Sequence, residues 1–527
     1  FHKAKLRVIM ELSAATLLFL SLISLMILVS LLGRKPNSKK RRPPGPLCLP
    51  FIGSLHHLLT SKPQVALRDL AKKHGPVMYL RLGQVDAVVI SSPAAAQEVL
   101  RDKDITFASR PSILVSEIFG YRSLGIAFAP PGAYWRTLRK LCTVELLSEQ
   151  KVRQFASVRD RETMSLVGQV RAAGRGGEPV NLGRLLMSCA SAITAKTTFG
   201  EGCGVELIEQ FLSAVDLVLK ISGGLCVGDL FPCLRFVDVA TGLKHRLWRT
   251  RLQLEAVLDK IIAESERRRR AEEKNTKRKT GDNELLSVLL RIKDEGGLDF
   301  PIETINIRAI VTDLFIGGTE TTSSAAEWTM SELMRSPEAM AKAQSEVRRA
   351  FDNKSPQEHE DMMCELSYTR MVIKEALRLH PVVPLLLPRL CRETCDIGGF
   401  EVKEGSRVIV NAWAVARSPE HWHDAEEFRP ERFTDNGAAM DCRGAQFEYL
   451  PFGSGRRMCP GVSFGLAMLE LIVARLLYYF DWSLPAGMPP DELDMDMVVG
   501  ATARRKNQLH LVASPYSYKV PAEEVQR

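Results

Sequence analysis

The sequence lacks the patterns of several common protein classes. Its eleven cysteines are an odd number and include no C-x-x-C pair, which argues against a closed disulfide framework and against a zinc-knuckle or thioredoxin-type site. It has no internal repeat and no evident G-x-G-x-x-G strand–helix unit, so a dinucleotide-binding fold is not predicted. Most cysteines are therefore expected to be reduced core residues of a protein that faces the cytosol.

Positive charge is concentrated in two short segments. The formal net charge is +9, but residues 34–42 contain six basic residues and no acidic one, and residues 267–279 contain eight basic and two acidic residues. Without these segments the chain is slightly acidic, so no nucleic-acid-binding surface is predicted. The hydrophobic content of 45% is ordinary for a globular protein with a sizeable core.

The N-terminal part has the organisation of a membrane anchor. Residues 12–32 form an uncharged, mostly apolar run of 21 residues, which is long enough to span a bilayer as a helix. A cleaved signal peptide is the alternative, but its apolar region would be shorter and followed by a small-residue cleavage site. The basic run that follows holds this end of the helix on the cytoplasmic side. We therefore predict leader or non-native residues over 1–9, a transmembrane anchor over 10–33, a basic and proline-rich hinge over 34–50, and the main domain over 51–527.

The main domain is predicted to be mainly helical with a small β region. The segment VMYLRLGQVDAVVISS alternates around Gly83 and predicts a hairpin. After residue 300 helical periodicity dominates, with a helix over 305–330, and a Val- and Gly-rich region over 395–412 predicts strands. The charged stretch 264–282 has no apolar face and predicts a solvated helix end and loop.

One cysteine lies in an unusual local setting. Cys459 belongs to PFGSGRRMCPG, residues 451–461, whose glycines allow tight turns and the close approach of a flat group. A long apolar helix follows, and a helix N-terminus stabilises an anion; Arg456 and Arg457 should also favour the thiolate. Such a thiolate can be a nucleophile, a redox centre or a metal ligand. A cysteine taken alone is more often a buried structural residue.

The whole pattern Phe452-x-x-Gly455-x-Arg457-x-Cys459-x-Gly461 resembles the haem-binding signature of the cytochrome P-450 superfamily, the haem-thiolate monooxygenases. The resemblance covers nearly the whole chain from residue 12 onward, at several places in the same order. It implies that Cys459 is the axial ligand of the haem iron, with a thiolate that favours O–O cleavage. It also implies that Phe452, Arg457 and Gly461 contact haem b.

A second match is FIGGTETTSS, within the helix predicted over 305–330. Gly317 and Gly318 cost about 1 kcal/mol each relative to alanine inside a helix, a cost that close approach of a flat ligand would offset. A helix interface of small residues is the alternative. In the family this segment crosses the oxygen face of the haem, which implies that Glu320 and Thr321 are the acid and the threonine that deliver protons during oxygen reduction.

Further matches concern arginines that would bind the haem propionates. YWRTLRK resembles the family segment in which a tryptophan and an arginine have this role, which implies it for Trp135 and Arg139. Arg457 and Arg389, in LLLPRL, are further propionate ligands by the same resemblance. Surface cations are the alternative for each arginine.

KEALRLHP and FRPERF match the family segments that form a buried structural cluster. Glu375 and Arg378 are three residues apart and therefore share a helix face, and Arg432 would complete the cluster. A solvated salt bridge between the first two is the alternative. The role implied is structural, since the cluster locks the core around the cysteine loop.

The resemblance implies a single large cytochrome P-450-type haem domain, mainly α with a small β region, behind an N-terminal transmembrane helix. The reaction would be insertion of one oxygen atom from O2 into a small apolar substrate. NADPH and flavins would act only through a separate NADPH–cytochrome reductase flavoprotein. The protein would be a single-pass protein of the endoplasmic reticulum membrane, with its catalytic domain in the cytosol and its anchor in the lipid bilayer.

Segments such as RRPPGP and CRETCDIGGFEV resemble plant microsomal members, and in particular grass enzymes that oxidise labdane-related diterpenes. Candidate pocket positions by resemblance are apolar, which fits a terpene or a fatty acyl chain without distinguishing them. These positions lie within 112–126, 222–236, 382–387 and 497–501, and include Phe315.

Two other functions compete with the monooxygenase. A haem-thiolate isomerase or lyase rearranges a hydroperoxide without O2 or a reductase, but such enzymes typically lack the acid–threonine pair and have an altered cysteine loop. A membrane-anchored haem sensor or carrier without turnover would need neither Glu320 nor Thr321. The presence of both residues favours the monooxygenase.

Overall fold

The computed structural model describes residues 42–60, 62–201, 203–222, 226–274, 284–298, 300–434, 440–500 and 502–517. The predicted segments 1–9 and 10–33 lie outside the described residues. The described part of the hinge, residues 42–50, contains no helix, as its prolines predict.

Helices form most of the described chain, which confirms the mainly α class. In chain order they are α1 (Pro63–His74), α2 (Pro93–Gln97), α3 (Leu114–Phe119), α4 (Ala133–Leu141), α5 (Glu149–Gln154), α6 (Ala156–Ala173), α7 (Leu182–Phe199), α8 (Val205–Ser222), α9 (Val227–Leu230), α10 (Arg235–Ala240), α11 (Leu243–Lys274), α12 (Leu285–Glu295), α13 (Thr304–Arg335), α14 (Pro337–Phe351), α15 (Ser367–Leu379), α16 (Ala412–Val415) and α17 (Val462–Tyr479).

The strands are short and form a minor component, as predicted. They are β1 (Val77–Leu82), β2 (Val85–Ile90), β3 (Val180–Asn181), β4 (Arg389–Leu390), β5 (Cys395–Ile397), β6 (Phe400–Val402), β7 (Arg407–Val410), β8 (Phe480–Ser483), β9 (Met497–Val499), β10 (Ala503–Arg505) and β11 (His510–Pro515).

The largest sheet has the order β1-β2-β7-β4. β1 and β2 form the predicted antiparallel hairpin, which turns at Gly83 with φ of 64°. β7 pairs parallel to β2 and antiparallel to β4, so the predicted strand region over 395–412 is confirmed. A second sheet has the order β3-β11-β8, and β5–β6 and β9–β10 are separate two-stranded units.

The long helix α13 runs through the core and positions the candidate site. It extends beyond the predicted 305–330 at both ends and stops before Pro337, the first residue of α14, because a proline cannot continue a helix. It packs against α7, α15 and α17. In the charged stretch 264–282, α11 continues to Lys274, and the remainder lies outside the described residues.

α17 is the apolar helix predicted to follow the cysteine loop. Among the described helices it alone has the length and hydropathy to cross a membrane, yet 72% of its apolar window is buried inside the protein. It belongs to the main hydrophobic cluster, together with residues of α7 and α13. α17 is therefore a core helix.

A buried histidine should make the stability of the fold depend on pH. His359 is fully buried, its ring stacks on Phe351 at a centroid distance of 3.9 Å, and Tyr478 lies edge-on at 5.3 Å. Burial, assisted by the charge of Arg475, lowers the pKa of His359 from 6.5 to about 3. Between these two values the unfolded chain binds a proton that the folded chain does not. The contribution of neutral His359 to the free energy of unfolding is therefore fully present above pH 6.5. It is lost as the pH falls below that value, by about 1.4 kcal/mol per pH unit.

We expect His359→Gln to remove this part of the acid sensitivity. The free energy of unfolding, measured with urea at pH 7 and pH 5, should fall by about 2 kcal/mol less in the variant than in the parent chain. An identical fall in both proteins would contradict the assignment.

Candidate active site

Two glycines shape the cysteine loop. Gly453 and Gly455 have φ values of 70° and 71°, in the left-handed region that favours glycine. A Cβ atom on Gly455 would lie 2.0 Å from the carbonyl oxygen of Leu100, so no side chain fits there. Gly461 differs: its φ is −99°, and it is the N-cap residue directly before α17.

Cys459 lies at the end of this loop, just before α17. Its backbone N–H donates to the carbonyl oxygen of half-buried Phe452 at 3.0 Å. The residue keeps part of its surface accessible, although burial raises the pKa of the Cys459 thiol more than the Gly461 N–H and the Arg139 charge lower it. The accessible part of the residue therefore borders an internal space, because burial still dominates the pKa of the thiol.

The charges around the thiol correct the prediction for Arg456 and Arg457. The Arg457 guanidinium turns to backbone carbonyl groups, and Arg456 is 59% exposed with its Nε 3.5 Å from Asp104. Arg139 is the cation that favours the thiolate, and burial outweighs it. A metal cation on the sulfur would reverse this balance, because a coordinating thiol is deprotonated.

Four arginines form a cationic cluster beside the loop: Arg110, Arg139, Arg389 and Arg457. Burial lowers the pKa of each of them, to about 10 for Arg457, and their mutual repulsion adds to the effect at Arg110 and Arg457. Arg389 pairs with Asp104 at 2.8 Å. In the described part of the chain no ion pair joins the other three to a carboxylate, so the cluster carries excess positive charge.

Trp135 packs against this cluster through its ring. The Arg457 guanidinium lies 4.2 Å from the centre of the Trp135 ring. The indole N–H donates to the Ile126 carbonyl oxygen at 3.1 Å, and Arg457 donates to the same oxygen at 3.2 Å. In this geometry Trp135 packs on Arg457 next to the cationic cluster, and its role toward the propionates stays a prediction.

An accessible stripe runs along the otherwise buried helix α13. Asp313, Gly317 and Thr321 are spaced one turn apart, and Gly317 is exposed, with no atom within 4 Å of the place that a Cβ atom would occupy. The Thr321 hydroxyl donates to the Gly317 carbonyl oxygen. A Cβ on the next residue, Gly318, would lie 3.2 Å from the Thr194 hydroxyl of α7 and 3.7 Å from Phe464 in the first turn of α17. The stripe therefore borders open space at Gly317, on a helix that packs against α17.

Glu320 lies about 100° around α13 from Thr321 and is buried, whereas Thr321 keeps accessible surface. Glu320 Oε1 lies 3.6 Å from a guanidinium nitrogen of Arg504. The acid and the threonine are thus neighbours in sequence, with only Thr321 on the stripe.

Asp313 and Arg110 belong to the site but are absent from the sequence predictions. Asp313 accepts the Ala127 N–H at 3.0 Å, and burial raises its pKa to about 6. An acid one turn before Gly317 on an apolar helix was a usable signal. No sequence signal identified Arg110, because its neighbours Arg389 and Arg457 come from distant segments.

Phe315 corrects the predicted pocket lining. It is fully buried and packs edge-on against Phe211 and parallel to Phe199, at ring-centroid distances of 4.7 and 6.3 Å. Phe315 therefore packs α13 against α7 and α8 and does not line open space. Ile113 and Leu385, from the predicted set, keep accessible surface.

These features fit a flat, apolar group that carries two carboxylates and a metal ion. Gly317 leaves room for a flat surface, the cationic cluster has positive charge to spare, and Cys459 presents a partly accessible thiol. Within the described residues no three His, Cys, Asp or Glu side chains converge on a possible metal position. The protein thus offers one sulfur ligand, which suits a metal already held by a macrocycle such as haem.

The predicted structural cluster is present below the loop. The Glu375 carboxylate accepts two hydrogen bonds from Arg378, at 2.7 and 2.9 Å, and one from Arg432 at 2.8 Å. It also accepts the Arg429 N–H at 2.9 Å. Glu375 and Arg378 are fully buried, so the solvated alternative is excluded.

Comparison with known proteins agrees with this geometry. The family profile "Cytochrome P450" matches residues 43–510. The chain is 65% identical over 517 residues to Cytochrome P450 99A2 of Oryza sativa subsp. japonica, covering 97% of this chain and 94% of that protein. It is 64% identical over 504 residues to the 9-beta-pimara-7,15-diene oxidase of the same organism, covering 96% and 98%.

Solved structures show the same fold. A zebra fish cytochrome P450 with abiraterone superposes with a TM-score of 0.71 at 23% identity, covering 87% of this chain and 100% of that one. The family profile, the two rice proteins and the solved structure each match most of the chain. The chain therefore belongs to the cytochrome P450 family and is a P450 monooxygenase.

Proposed function

We propose that this monooxygenase inserts one oxygen atom from O2 into an apolar, labdane-related diterpene. The observation that carries the reaction is the position of Thr321 beside the open space at Gly317, on a helix that packs against the one following Cys459, with Glu320 buried next to it. The substrate class is supported by the rice diene oxidase, to which the chain is 64% identical. The balance is substrate, O2, NADPH and one proton giving hydroxylated product, water and NADP+.

The residues around the open space have distinct tasks. Cys459 would hold the haem iron, and Arg110, Arg139, Arg389 and Arg457 would neutralise the two propionates. Haem b supplies, when bound, the redox chemistry that activates O2. Phe452 and Gly461 would contact the haem on either side of the cysteine. Gly461 is also the residue directly before α17.

Proton delivery is assigned to Thr321 and Glu320. The Thr321 hydroxyl, now donated to the Gly317 carbonyl, can rotate to donate into the open space. Glu320, which is buried next to Thr321, supplies the proton. This division keeps bulk water away from the apolar substrate while protons still reach the oxygen being reduced.

Electrons would come from a membrane-bound NADPH–cytochrome reductase flavoprotein. Arg136 and Lys140 are exposed on α4, and such cations suit docking of an acidic partner. With the anchor predicted over 10–33, the protein would reside in the endoplasmic reticulum membrane with its catalytic domain in the cytosol.

A turnover assay tests the substrate class. Microsomes containing the chain and a plant reductase are given NADPH and a panel of labdane-related diterpene olefins, with simple phenolics and fatty acids as controls. We expect mass spectrometry to show an NADPH-dependent product that has gained oxygen from a diterpene only. If reduced, CO-treated microsomes show a thiolate-type haem band but no diterpene reacts, the substrate proposal fails.

We expect Thr321→Ala to separate NADPH consumption from product formation. Loss of the hydroxyl should reduce product per NADPH by about 10²-fold, with hydrogen peroxide released instead. Thr329→Ala is the matched control, because Thr329 lies in the same helix, is buried and donates to the Ala325 carbonyl at 2.8 Å. Equal product per NADPH in both variants would contradict the role of Thr321.

A further inference from the structure

The C-terminal hairpin β9–β10 is fixed to the helix that carries the proposed proton donor. The Ala503 carbonyl oxygen accepts the Ser324 hydroxyl at 3.0 Å and the Trp328 indole N–H at 3.3 Å. Arg505 donates to the Ser331 hydroxyl at 2.9 Å. Ala503 and Arg505 are thus both attached to α13, so the residue between them, Arg504, has a defined position against the helix.

Arg504 faces Glu320. Its guanidinium nitrogen lies 3.6 Å from Glu320 Oε1, and the two side chains differ in exposure, 50% for Arg504 and 6% for Glu320. Glu320 has no other ion pair with a described residue. A buried carboxylate needs compensation of its charge, and Arg504 provides it from the solvent side.

We propose that Arg504 is a positioning residue for Glu320 that controls proton supply to the reaction. This rests on the proposed roles of Glu320 and Thr321. Glu320 loses its proton toward Thr321 and regains one from water on the Arg504 side. Arg504 stabilises the carboxylate formed between these two events and orients it, and no net proton or electron remains on either side chain.

Thr321 and Glu320 differ in the surroundings from which they can exchange protons. Thr321 borders the internal open space, whereas Glu320 points to the hairpin, where half-exposed Arg504 meets solvent. In this proposal, protons enter from the Arg504 side. A purely structural ion pair would change the stability of the protein and leave its turnover unaltered.

Turnover measurements on Arg504→Met, Arg504→Lys and Lys506→Met distinguish these roles. Lys506 is the matched control, because it is an exposed cation on the same face of the hairpin segment and lies 3.7 Å from Asp496. The readouts are kcat, KM, hydrogen peroxide released per NADPH, and the ratio of rates in H2O and D2O. The full chain is used in microsomes with the reductase.

For Arg504→Met we expect kcat to fall about tenfold, below the roughly 100-fold typical of losing the acid itself. KM should stay unchanged, peroxide per NADPH should rise, and the solvent isotope effect should increase as proton delivery becomes limiting. Arg504→Lys should restore most of kcat, and Lys506→Met should match the parent. Unchanged kcat, peroxide and isotope effect in Arg504→Met would overturn the proposal.

Thermal unfolding tests the pairing without turnover. Arg504→Met should lower the unfolding temperature in the parent chain and have a smaller effect in a Glu320→Gln background, because the partner charge is then absent. Equal shifts in both backgrounds would overturn the pairing. If no diterpene is converted by the parent, the substrate proposal fails, while this cycle and NADPH-driven peroxide release still decide the role of Arg504.

Discussion

Cys459→Ala is expected to abolish both the thiolate-type haem band of reduced, CO-treated microsomes and all NADPH-dependent product. The sulfur is the ligand assigned to the iron, and Cys142, the other cysteine whose charge acts on Arg139, is fully buried. Cys459→Ser fills the same space, so it should keep the fold while also losing the thiolate-type band. Immunoblotting shows that equal amounts of each protein are compared.

Cys364→Ala is the matched control for this loss. Cys364 is exposed and contacts only a backbone carbonyl of its own segment among the hydrogen bonds described. Its replacement should leave the band and the product unchanged. A thiolate-type band that survives in Cys459→Ala would contradict the assignment of the axial ligand.

Glu375→Gln is expected to destabilise the protein by about 3–5 kcal/mol. The substitution conserves shape but leaves the guanidinium groups of Arg378 and Arg432 without their shared carboxylate, in a region where Arg378 is fully buried. The cost is that of uncompensated buried charge. Urea unfolding of the haem-loaded protein measures it, and the yield of haem-loaded protein should fall in parallel.

A nearby exposed pair provides the comparison. Glu431 pairs with Lys342 at 2.8 Å, and both side chains are about half exposed. Glu431→Gln should cost only about 0–1 kcal/mol, as surface ion pairs do. If Glu375→Gln cost no more than Glu431→Gln, the structural role of the cluster would be contradicted.

The features that the sequence predicts correctly have local causes. The β1–β2 hairpin follows from alternation around Gly83, and α13 and α17 follow from apolar periodicity and from glycine and proline at their ends. The cysteine loop is defined by glycines whose φ values only glycine adopts readily. Each signal lies within a few residues of the feature it predicts.

The features that it misses depend on distant segments. Arg110 joins the cationic cluster because the chain returns beside it at Arg389 and Arg457, and Glu320 finds Arg504 through the attachment of the C-terminal hairpin. The prediction that Arg456 and Arg457 favour the Cys459 thiolate is wrong for the same reason. Sequence shows two adjacent arginines, but side-chain direction and burial decide which charge acts on the sulfur.

The origin of the inserted oxygen tests the central claim most directly. Microsomes with the chain and the reductase are supplied with NADPH, a diterpene olefin and dioxygen labelled with the heavy oxygen isotope, in unlabelled water. The account predicts a product that carries one labelled oxygen atom, with Thr321→Ala forming far less of it and Cys459→Ala none. A product whose oxygen comes from water, or one formed equally without O2 or NADPH, would contradict it.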